Sequence, residues 1–173
     1  MLRRTVLRAY FNFGRILKVA CICVAACAAA LCADESLVPL TVCEIVRDLP
    51  AQEGKVVAAV GRYSFRGDGR WLGEQTCDAA GPTPSLWLVE DLKDGPKPPE
   101  PLNLDKAALK KKFADVQRRS TLGKFQFGTS DYDRWAVVYG RIERREGDDA
   151  KKAPANLVFR GSTLIFVITS SEW

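Results

Sequence analysis

At 173 residues, with 47% hydrophobic and 27% charged side chains, the chain has the composition of one packed domain with a modest appendage, not of a disordered or wholly membrane-embedded protein. The formal net charge of +5 does not describe that domain. Arg3, Arg4, Arg8, Arg15 and Lys18 precede residue 34 and no acid does, so the remainder carries 21 basic against 21 acidic residues, and a generally basic surface for nucleic acid or anionic lipid is excluded.

Residues 1–33 read as a targeting segment. The arginines form a long basic region, Val19–Leu31 an apolar stretch of small residues, and Ala30-Leu31-Cys32 a small-x-small cleavage site. The apolar run falls short of the roughly 20 residues of a membrane span. Simple export to a periplasmic or extracellular compartment is therefore the first expectation. A lipoprotein is the second, because Val24-Ala25-Ala26-Cys27 resembles a lipobox with Cys27 as the lipidated residue. An outward-facing chain held by an uncleaved anchor is the third. Residues 34–173 are then the single mature domain, touching a membrane only through the N-terminal segment.

After a short lead, Thr41–Leu49 places Val42, Ile45, Val46 and Leu49 at helical spacing, with Thr41 as N-cap, Glu44 in capping-box position and Pro50 as terminator. Lys55–Phe65 is the first barrel strand. Val57, Ala59, Tyr63 and Phe65 share one face and Val56, Ala58 and Val60 the other, and Gly61 marks a bulge or sharp bend. Arg66-Gly67-Asp68-Gly69 is a hairpin turn, which accounts for its Arg-Gly-Asp tripeptide without an adhesion role. Arg70–Gly73 and Leu86–Glu90 are the next strands. Asp91–Pro101, with four prolines, is an irregular linker. Asn103 caps a helix through Arg119, with Leu109, Phe113 and Val116 on its apolar stripe. Leu122–Asp133 is a connection containing Phe125 and Phe127. Trp135–Glu143 is the fourth strand, Arg144–Ala155 a charged loop, and Asn156–Ile168 the fifth strand with a break at Gly161.

Of six cysteines, four lie in the targeting segment; Cys43 and Cys77 remain. In an oxidising compartment the pair forms a structural disulfide worth about 3–4 kcal/mol on the chain-entropy model. The absence of CxxC spacing and of histidine argues against a redox pair or a zinc site.

The order of helix, three strands, helix and two strands, with a glycine in the first strand, resembles the OB-fold. The fold class expected is mainly β: a five-stranded Greek-key barrel with a helix between strands three and four, plus a short N-terminal helix. The pieces C-E-I-x-x-D-L, G-K-V-V and D-G-x-W-L within Cys43–Leu72 also resemble uncharacterised exported bacterial proteins of OB-like type. The resemblance implies a ligand, if there is one, on strands two and three beside loops one-two and four-five. Loop one-two is minimal here.

With no histidine, Ser-His and Cys-His machinery is excluded, and no phosphate-cradling glycine loop is present. The acid pairs Glu90/Asp91 and Asp131/Asp133 read as solvated carboxylates. The basic helix Lys106–Arg119, with Lys124 nearby, reads as a solvated face. Trp87 and Trp135, inside apolar runs, read as core. The expected binding group is Arg62, Arg66, Arg70 and Trp71 on the first hairpin, an arginine-aromatic surface suited to stacking a sugar or a base. Expected function is a non-catalytic binding module requiring no cofactor or metal. The partner is unknown, with an oligosaccharide or another envelope protein ahead of nucleic acid. The alternatives are a structural envelope protein anchored at Cys27 and, with least support, an enzyme.

Overall fold

Strand β2, Val56–Arg66, is apolar on both faces in its first half, and from Val57 to Val60 both faces are covered, Val56 alone being exposed there. The computed structural model describes residues 36–77, 84–123 and 132–167. The expectations for residues 1–33, including Cys27, for Lys124, Phe125, Phe127 and Asp131, and for Ile168 and the tail after it lie outside the described residues. The other strands are β1 (Leu40–Thr41), β3 (Gly69–Gly73), β4 (Ser85–Glu90), β5 (Tyr132–Arg144) and β6 (Ala155–Val167). The described helices are α1 (Val42–Arg47), α2 (Leu49–Gln52), α3 (Lys106–Arg119) and α4 (Asp149–Lys152).

Strands β2 to β6 close a barrel in the order β2-β3-β4-β6-β5 and back to β2. Pairing is antiparallel except between β4 and β6, where Leu86↔Ala155 to Glu90↔Phe159 run parallel. Helix α3 connects the third barrel strand to the fourth. This is the expected mainly β, OB-like five-stranded barrel, and closure leaves β2 to β6 no long free edge. The extra strand β1 pairs parallel to β2 at Ala59 and Val60.

Val57, Ala59 and Tyr63 of β2 point into the barrel, against Leu72, Leu86, Ile142, Leu157 and Phe159. Ala58 and Val60 point outward and, with Val137 of β5, meet Leu109, Phe113 and Val116 of α3. Trp135 joins that outer layer edge-on to Phe113, ring centres 5.7 Å apart. It is thus packed outside the barrel, not in its interior. Beyond Gly61 the outer face of β2 turns polar, as Arg62, Ser64 and Arg66. Gly61 itself makes no bulge, for the β2–β5 register runs unbroken through Gly61↔Ala136. Its role is space. A Cβ there would stand 3.0 Å from Leu72 and 3.1 Å from Val42. The irregularity lies in β6, where pairing with β5 steps from Val138↔Leu164 to Gly140↔Phe159. Residues Arg160–Thr163 bulge out, and the Thr163 hydroxyl donates to Tyr139 O at 2.8 Å.

Helix α1 stops one end of the barrel with Val42, Ile45 and, just past it, Leu49. Burying each such side chain is worth about 1.5–3 kcal/mol. Its capping box is complete: Glu44 N donates to Thr41 Oγ1 at 3.2 Å and Thr41 N to Glu44 Oε2 at 2.8 Å. The helix ends before Pro50, at Asp48, and Pro50 occupies the first turn of α2, where its missing N–H is not needed. Cys43 and Cys77 are joined as expected, with Cα atoms 5.6 Å apart. The cap of α3 is Asp105, not Asn103: Ala108 N donates to Asp105 Oδ1 at 2.9 Å.

Candidate functional site

Alternation along β3 separates adjacent residues of the hairpin. Leu72 points into the barrel, so Trp71 points out, and on β4 Leu86 and Leu88 point in, so Trp87 points out. The register sets Trp71 directly opposite Trp87. Their rings lie offset and nearly parallel, with centres 6.1 Å apart and planes 18° from each other. Both are half-buried. The benzenoid edge of Trp87 lies over Gly69, in the space a Cβ would need, and Gly69 holds a positive φ of 144°. Only glycine fits that position on both counts. The Arg145 guanidinium sits 5.2 Å from the Trp87 ring centre and pairs with Asp149.

The two indoles wall a cleft of about 370 Å³, completed by Asp68, Ser85, Lys152 and Ala153. Asp68 comes from the β2–β3 turn, and Lys152 and Ala153 from α4 and the residue after it. The Ser85 hydroxyl donates to Lys152 O at 3.1 Å and ties α4 to β4. Asp68 and Lys152 are exposed, and neither has an ion-pair partner among the described residues. The cleft thus offers apolar ring surface, a carboxylate that only accepts hydrogen bonds and an ammonium that only donates them.

Of the four residues expected to act together, only Trp71 lines this cleft. Arg62 donates to Thr121 O at 3.0 Å. Arg66 pairs with Asp133 at 2.8 Å and also donates to Phe65 O. Arg70 has the inward parity of Leu72. It pairs with Glu90 at 2.9 Å, 5.3 Å from the Phe159 ring centre, and covers the barrel end away from α1. Trp87 was expected in the core and is instead the second indole of the cleft. Its signal was present in the sequence: Trp71 and Trp87 share the outward parity of consecutive strands. Lys152 gave no local signal, because only closure of the barrel brings the β5–β6 loop to this place.

The acid pairs also resolve into individual roles. Glu90 pairs with Arg70. Asp91 Oδ1 accepts Lys93 N at 2.8 Å and Asp94 N at 2.9 Å, which holds its carboxyl below the usual range. Asp133 is buried, which raises its pKa, but the Ser64 hydroxyl, the Gly123 N–H and the Arg66 and Arg62 guanidiniums outweigh burial and bring it below normal. On α3, Lys112 pairs with Glu44, Arg118 with Asp115 and Arg119 with Glu74, so several of its cations are engaged. No group of three or more His, Cys, Asp or Glu side chains able to hold a metal occurs among the described residues. No protein-family model, curated protein or solved structure matches the chain.

Proposed function

We propose that this chain is a non-catalytic binding module whose ligand lies across Trp71 and Trp87. The observation that carries the reading is the paired-indole cleft on strands β3 and β4, flanked by Asp68 from one loop and Lys152 from another. Concave, partly apolar surface with a few convergent polar groups is what ligand sites share. OB barrels of unrelated function use this same face, an analogy that supports the location and not the ligand. The test is a binding screen on the full chain against oligosaccharides and single-stranded oligonucleotides, read by tryptophan fluorescence. Binding that is lost in Trp71→Ala with the fold intact supports the reading; binding that survives it places the ligand elsewhere.

We further propose that the module works outside the cytoplasm. The basic and apolar character of residues 1–33 and the Cys43–Cys77 bridge support export. The lipobox-like Val24–Cys27 favours a lipid-anchored, structural variant of the same reading. The mass of the mature chain tests both. Loss of the leader alone indicates simple export, whereas palmitate labelling that disappears in Cys27→Ser indicates anchoring.

A further inference from the structure

We propose that the cleft takes an uncharged pyranose ring of an oligosaccharide. The inference rests on the binding-module reading and assigns that site its ligand class. Nucleobases, proline-rich peptides and sugar rings are among the ligands that dock on accessible indole faces. The polar groups around Trp71 and Trp87 distinguish them.

A nucleic acid brings a phosphate with every base, and its affinity comes largely from cations that neutralise those phosphates. Among the described residues, the guanidiniums near the cleft each face a carboxylate, although Nη1 of Arg145 has no hydrogen-bond partner. Arg70 pairs with Glu90 at 2.9 Å, Arg145 with Asp149 at 3.3 Å and Arg66 with Asp133 at 2.8 Å. What remains at the rim, among the described residues, is one ammonium, Lys152, and one carboxylate, Asp68, and their charges cancel. A phosphate drawn to Lys152 meets the field of Asp68.

A proline-rich peptide has the reverse fault. Its backbone carries carbonyls but few N–H groups. It can accept from Lys152, yet it has nothing to donate to Asp68, whose carboxylate would lose water without gaining a partner.

A sugar ring fits both groups. Each hydroxyl donates and accepts, so neighbouring hydroxyls satisfy an acceptor-only carboxylate and a donor-only ammonium together. The C–H face of the ring lies on an indole. The ligand adds no charge, so the cancelled rim is no obstacle. An acidic sugar would lose that advantage through Asp68.

The experiment titrates the full chain with four probes: neutral gluco- and N-acetylglucosamine oligosaccharides, an acidic uronic-acid oligosaccharide, a single-stranded oligodeoxynucleotide and a proline-rich peptide. Fluorescence and calorimetry are read at low and high salt. The expected result is binding of a neutral oligosaccharide with little salt dependence. Affinity should fall roughly tenfold or more in Trp71→Ala and in Trp87→Ala. Asp68→Ala should also weaken it, while Trp71→Phe should retain part of it. Thermal melts of each variant separate loss of the site from loss of the fold. Salt-sensitive oligonucleotide binding, peptide binding, or binding of the acidic sugar alone, if abolished in Trp71→Ala, overturns the ligand class and leaves the binding module standing. Neutral-sugar binding indifferent to both tryptophans overturns the site. No binding of any probe by folded chain overturns the inference and the binding-module reading together.

Discussion

Arg119, in the last turn of α3, places its Nε 2.8 Å from Oε2 of Glu74, a carboxylate with no exposed surface. The other oxygen of Glu74 accepts Cys43 N at 2.9 Å in the first turn of α1. One buried charge therefore joins the end of β3, the start of α1 and the end of α3, beside the disulfide. A buried carboxylate is tolerated here because a guanidinium and a helix N-terminus both face it.

Glu74→Ala is expected to destabilise the fold by about 2–3 kcal/mol, since it orphans a backbone N–H and a partly buried cation together. Urea unfolding measures it as a lower midpoint at unchanged slope. A variant within experimental error of the parent would show that the three-way junction contributes nothing.

Breaking the neighbouring bridge tests the same end of the barrel by another route. The Cys43–Cys77 link spans 34 residues of sequence. The double variant Cys43→Ser, Cys77→Ser should lose about 3 kcal/mol, and reductant should lower the parent's melting temperature but not the variant's. Equal melting of the parent with and without reductant would contradict this.

Gly61→Ala is expected to cost about 1–2 kcal/mol. The reason is contact and not backbone strain, for the added methyl group would stand 3.0 Å from Leu72 and 3.1 Å from Val42, both with no exposed surface. Shortening Val42 in the background of Gly61→Ala should recover part of the loss, a non-additivity that a double-mutant cycle reads directly.

Acidification probes Asp133. Its folded carboxyl titrates below the ordinary value of 3.8, so it stabilises the fold fully above that value. The contribution disappears as pH falls through the lowered folded pKa. Stability followed from neutral pH downward should therefore drop below about pH 4, and Asp133→Asn should flatten that acid limb while lowering the plateau above it. An identical acid limb in the variant would assign the sensitivity to other carboxylates.

The contrast between Arg70 and Trp71 explains what was legible in the sequence and what was not. The barrel could be read because both parities of Val56–Val60 are apolar, which requires cover on two sides, and because turn and cap residues punctuate the chain. The helix at Thr41 could be read because a capping box is local. The binding group was only partly legible. Arg62, Arg66 and Arg70 are close in sequence to Trp71, but alternation turns Arg70 inward, and partners at distant positions, Asp133 and Glu90, hold two of the three arginines. Lys152 meets the cleft only through parallel pairing of β4 and β6, a relation between residues some 67 positions apart that no local pattern encodes.

The geometry of the paired indoles can be checked without any ligand. Two indoles with ring centres 6.1 Å apart are close enough for their excited states to couple, and the expected signature is a bisignate band in circular dichroism. Trp71→Phe and Trp87→Phe should each abolish that band, whereas Trp135→Phe, whose ring packs on Phe113 outside the cleft, should leave it. Gly69→Ala is the sharper test. It removes neither chromophore, but a methyl group there would occupy the space of the Trp87 ring at a φ of 144° that side-chain-bearing residues disfavour. The ring must move, so the band should weaken and the tryptophan emission should shift as Trp87 is displaced. The strained turn should also lower the unfolding midpoint, by about 1–3 kcal/mol in stability. A Gly69→Ala variant that keeps the parent's band would mean that Trp87 does not rest on the β3 backbone, and the cleft built on that contact would have a different floor.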